Sequence, residues 1–138
     1  MLLARTSVLL LAPLCLVLSL GCSSSSDSGD EFVFELTLQS MDEHVGELFE
    51  LRAWNVATGA EVDRLRLSSI PAAQFLVTVE GLREDQTYHL DFYADFDGSG
   101  DYDAPPGDHS WRLTVGPVSG DDAQTFVHDT AFVDIAWP

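Results

Sequence analysis

From Glu31 onward the chain is written with a period of two. In residues 31–38 Phe32, Phe34, Leu36 and Leu38 share one face, and Val33, Glu35 and Thr37 share the other. Successive side chains of a strand point to opposite faces, so this spacing buries one side of a sheet and no side of a helix. The alternation returns at Phe75, Val77 and Val79. It returns again at 88–95, where Tyr88, Leu90, Phe92 and Ala94 are expected inward and His89, Asp91, Tyr93 and Asp95 outward. Residues 47–56 and 61–67 flank an Ala-Thr-Gly-Ala turn and read as a hairpin. Residues 110–115, 125–128 and 131–137 supply the remaining strands. Turn residues separate about seven or eight short strands, and no stretch carries an apolar stripe at helical spacing. The expectation is a single all-β domain over 31–138, an antiparallel β-sandwich.

Such a domain resembles the immunoglobulin-like and transthyretin-like sandwiches of secreted bacterial modules. The resemblance is architectural, because the Cys…Trp…Cys hallmark of true immunoglobulin domains is missing. It implies a fold and leaves the function open.

The first 22 residues have secretory-signal anatomy. Arg5 supplies a positive start, an apolar run extends from Val8 to Leu20, and Gly21 precedes Cys22. The run is about 13 residues, short of the roughly 20 that a spanning helix needs. This segment resembles the bacterial lipoprotein signal, which ends in a small residue before the cysteine that receives lipid. Gly21 and Cys22 fit that pattern, while Ser19 and Leu20 depart from it. The resemblance implies a signal peptide at 1–21, lipidation at Cys22, and localisation in the bacterial cell envelope, favouring the outer membrane or cell surface. Residues 22–30, with a run of four serines, read as a flexible tether. Cleavage removes Cys15, so the mature chain has no disulfide partner for Cys22.

Charge narrows the partners. The chain carries 23 Asp+Glu against 6 Lys+Arg. Once Arg5 leaves with the signal, five arginines face 23 acids and the net charge is −18. Nucleic acid is excluded as a partner, since phosphate binding needs a basic surface. Anionic headgroups would repel the domain, so lipid must do the anchoring. Divalent cations are the natural small partners, with an envelope protein or a glycan as the larger candidates.

The densest motif is Asp-Phe-Asp-Gly-Ser-Gly-Asp-Tyr-Asp at 95–103. Asp95, Asp97, Ser99, Asp101 and Asp103 alternate, and Gly100 takes the sixth place. The spacing resembles the EF-hand calcium loop, in which alternate residues of a tight curl aim oxygens at a hard cation. The twelfth place, where that family has a bidentate Glu, holds Pro106. The next candidate oxygen is on Asp108. The flanking helices of an EF-hand are missing too. The expectation is a calcium loop grafted between two strands, with Asp95, Asp97, Ser99, Asp101, Asp103 and Asp108 as ligands.

Three of the four histidines border connections. His44 lies after the first strand, three residues beyond Met41; His109 closes the acidic loop; His128 ends the strand at 125–128. If strands run alternately up and down, these connections gather at one pole. Met41, His44, His109 and His128 would then form a copper or zinc site, since imidazole and thioether suit those metals. Hydrogen bonding within the loops is the competing reading. Trp54, Trp111 and Trp137 read as core, or as a sugar-stacking platform if they are exposed side by side. No Gly-x-Ser-x-Gly elbow, His-Glu-x-x-His motif or phosphate loop occurs. A non-enzymatic module is expected.

Overall fold

The computed structural model describes residues 29–138, so the signal segment, Cys22 and the serine run lie outside the described residues. Seven strands follow one another: β1 (Glu31–Gln39), β2 (Phe49–Asn55), β3 (Glu61–Leu67), β4 (Phe75–Arg83), β5 (Tyr88–Ala94), β6 (His109–Val115) and β7 (Asp122–Val127). A single 3-10 turn, Asp42–His44, interrupts the β1–β2 connection.

The strands make two sheets, ordered β4-β1-β7 and β3-β2-β5-β6. The β2–β3 hairpin forms as its turn residues foretell. All pairings between the named strands are antiparallel except one: β7 lies parallel to β1, with Leu36 opposite Gln124 and Gln39 opposite Val127. The core lies between the sheets. Phe34, Leu36 and Leu38 from β1, Phe49 and Leu51 from β2, and Leu90 and Phe92 from β5 are fully or almost fully buried. Those of β1 and β5 are the inward residues that the period-two pattern selects.

Two expectations need correction. Residues 131–137 do not form a strand. Their backbone makes one hydrogen bond to the sheet, Val133 N–H to the Ser110 carbonyl. Their other bonds go to side chains: Ile135 N–H donates to the Tyr102 hydroxyl, and Arg52 donates to the Ile135 carbonyl. The segment is a strap, buried through Ile135, which is 0% exposed.

The second correction concerns the outward face of β5. Asp91 and Tyr93 are 0% exposed and Asp95 is 6% exposed. Asp91 lies beneath Arg52, Arg112 and the Trp54 indole, all of which donate to its carboxylate. Tyr93 lies against Tyr102 and Trp137. The face points away from the sandwich interior, yet the strap and long side chains cover it.

Candidate metal centre

The up-and-down direction of the strands decides what meets at each pole. Because β7 is parallel to β1, both strands end at the same pole. His44 follows β1 there, and His128 follows β7. The strand β5 also ends at that pole, its Ala94 pairing with Phe49 at the start of β2, and His109 opens β6 opposite Ala94. Three histidines separated by up to 84 residues therefore converge.

His44 Nε2 stands 3.2 Å from His128 Nε2 and 3.2 Å from His109 Nδ1. All three ligand nitrogens lie within 4.8 Å of one another. Zinc–nitrogen bonds of 2.0–2.1 Å at tetrahedral angles place two ligand nitrogens about 3.3 Å apart, so both measured edges fit one shared ion. His44 is fully buried, and its Nδ1 contacts Glu47 Oε2 at 2.8 Å. For that bond to form Nδ1 carries the proton, which in a neutral ring leaves the lone pair on Nε2. One lone pair cannot serve two neighbouring N–H donors well, whereas a cation takes a lone pair from each ring. A carboxylate behind a ligating imidazole is also how metal-binding histidines are commonly oriented.

Aromatic rings hold the cluster in place. His109 is stacked with Phe96 at 4.3 Å and with Phe132 at 4.0 Å between ring centroids. Trp111 meets His44 and His128 edge-on, and its indole N–H donates to the Asp129 carbonyl just beyond His128. Burial lowers the pKa of His109, and the neighbouring His44 and His128 rings, which disfavour a further positive charge in the cluster, lower it more. Burial and His44 do the same for His128. Both shifts favour the neutral imidazole that binds metal.

Met41 sits in the hydrophobic core at 0% exposure, and its carbonyl accepts the His44 N–H. His89, mid-strand in β5, contacts the Thr114 hydroxyl away from this cluster.

The acidic loop makes a second group from Asp95, Asp97 and Asp108, whose carboxylate oxygens lie within 4.8 Å. Asp101 and Asp103 stand outside it. Much of the loop's hydrogen bonding turns inward. Asp95 accepts the Ser99 and Gly100 N–H groups. Asp108 accepts those of Phe96 and Asp103. The Ser99 hydroxyl donates to the Asp101 carbonyl and to Asp103. Gly100 takes a φ of +90°, a left-handed conformation that a side chain would strain. Burial raises the pKa of Asp108; the backbone donors from Asp103 and Phe96 oppose the rise, and the charges of Asp95 and Asp97 add to it.

The tryptophans form no open row. Trp111 is buried. Guanidinium groups lie over Trp137, from Arg64 at 4.8 Å and Arg52 at 5.2 Å, and over Trp54, from Arg112 at 5.3 Å.

Sequence reasoning missed Glu47 and the rings of Phe96 and Phe132. The spacing His44-x-x-Glu47 in a tight turn was the available signal for the first. Nothing in the chain order signals the stacking, since it joins three separate segments. Comparison with family models, with curated proteins and with solved structures found no match.

Proposed function

We propose that this protein is a non-enzymatic, metal-binding module of the bacterial cell envelope, tethered through lipid on Cys22, and that His44, His109 and His128 bind one zinc or copper ion. The observation that carries the reading is the pair of 3.2 Å contacts sharing His44 Nε2. Imidazole nitrogens suit zinc and copper better than calcium or magnesium. The test is calorimetric titration of the full mature domain with zinc and with copper. One equivalent should bind, and His44→Ala and His128→Ala should each abolish it. By linkage, zinc at 100 times its Kd should stabilise the fold by about 2.7 kcal/mol. Unchanged binding in both variants would remove the histidines from the site.

A second reading has its own support. The convergence of Asp95, Asp97 and Asp108 favours calcium in the acidic loop, with Ser99, Asp101 and Asp103 as further oxygen donors once the loop closes on an ion. Millimolar calcium should then raise the melting temperature, and Asp97→Ala should erase the rise. A melting curve indifferent to calcium would reject this reading. The anchor is tested separately: Cys22→Ser should move the protein from the membrane to the soluble envelope fraction.

A further inference from the structure

Given the three-histidine reading above, we infer that the centre is open: three protein nitrogens hold the metal, and a fourth position admits a small, singly charged anion from solution.

Four observations support this. First, a zinc or cobalt ion of this kind takes four ligands, and the cluster supplies three. Among the described residues no carboxylate or cysteine joins His44, His109 and His128 within 4.8 Å. Second, the nearest carboxylate partner, Glu47, sits behind His44 at Nδ1, on the opposite side of the ring from the ligand atom. Third, the rings of Phe96, Trp111 and Phe132 wall the cluster and carry no lone pair suited to a metal. Fourth, exposure is graded. His44 is buried, whereas His109 and His128 are partly exposed, so the cluster opens to water on their side.

The charge of the neighbours sets the class of ligand. Three neutral imidazoles leave the full charge of the ion uncompensated, which attracts a negative donor. Glu43 precedes His44 and Asp129 follows His128, both exposed. Their carboxylates repel a multiply charged anion more strongly than a singly charged one. Azide or thiocyanate should bind, and phosphate should be disfavoured.

The experiment uses the full mature chain loaded with cobalt(II), whose visible bands report coordination. One equivalent of cobalt bound by the native chain, and none by His44→Ala, isolates the metal reading from the open position. Azide and thiocyanate are then titrated into the loaded protein, with phosphate alongside. The expected result is a saturable shift of the visible bands with azide and thiocyanate and none with phosphate, the cobalt remaining bound by metal analysis. Cobalt held through the histidines with bands unmoved by either anion would show a fourth ligand from the protein and overturn the open position. Equal response to phosphate would overturn the charge selection. Absence of cobalt binding would remove the metal reading and the open position together.

Discussion

At the scale of single residues, Asp91 is the most consequential charge in the fold. Its carboxylate is 0% exposed and receives Arg112 at 2.6 and 2.9 Å, the Trp54 indole at 2.8 Å and Arg52 at 3.0 Å. Removing it takes the carboxylate from Arg112 and from Arg52, leaving Arg52 only its bonds to the strap carbonyls. Asp91→Ala should cost about 3–5 kcal/mol, read by chemical denaturation. The pH dependence has a definite sign. Burial pushes the Asp91 pKa up, but the donors from Arg112, Trp54 and Arg52 outweigh it and leave the folded value below the ordinary 3.8. A depressed carboxylate stabilises the fold above 3.8 and loses that contribution as pH falls through the folded value. Acid titration of stability should therefore show a loss below 3.8 that Asp91→Asn lacks. Glu47 is the corresponding residue in the proposed metal centre. Glu47→Gln should weaken zinc binding by about 10–100-fold while leaving the stoichiometry at one, because it disturbs the orientation of His44 and not the ligand count.

At the scale of elements, the strap at 131–137 is where pattern and structure part. Residues 131–137 are rich in apolar side chains, a signal that here records the burial of Ile135 and the partial cover of Phe132 and Trp137. It says nothing about whether a hydrogen-bonded ladder accompanies the burial. Here Phe132 goes to His109 and Ile135 to a fully buried position, without a ladder. Ile135→Ala should lower stability by about 2–5 kcal/mol, measured by thermal or urea unfolding. The same limit explains the outward face of β5. Alternation correctly separates Leu90 and Phe92 from Asp91 and Tyr93, but cannot foresee a strap laid over the second set. The strand content and the hairpin were legible because they depend on local spacing. The convergence of the histidines was legible through strand direction alone, since each alternate connection returns to the same pole. Glu47 and the stacked rings were not, because which side chains touch across elements is set by register and rotamer.

At the scale of the whole molecule, charge is distributed unevenly. Arg52, Arg64, Arg66 and Arg112 all belong to the β3-β2-β5-β6 sheet, and each is paired with Asp91, Glu61 or Glu50. With 6 Lys+Arg against 23 Asp+Glu, most carboxylates have no basic partner. Self-repulsion should then exceed the gain from exposed ion pairs. Raising sodium chloride from about 20 mM to 1 M, where the screening length falls to about 3 Å, should raise the melting temperature. A fall would mean that the arginine pairs dominate.

The parallel pairing of β7 with β1 also sets an order of assembly. A chain made from its N-terminus presents β1 early and must wait for residue 127 before the second flank of that strand is filled. Until then the central strand of one sheet has an open edge, the state most prone to pairing with another chain. Non-local pairings of this kind are also slow to form. His128 is the next residue after β7, so the third imidazole arrives only when that edge closes. A metal ion that needs all three rings would therefore bind at this pole only after β7 has paired with β1.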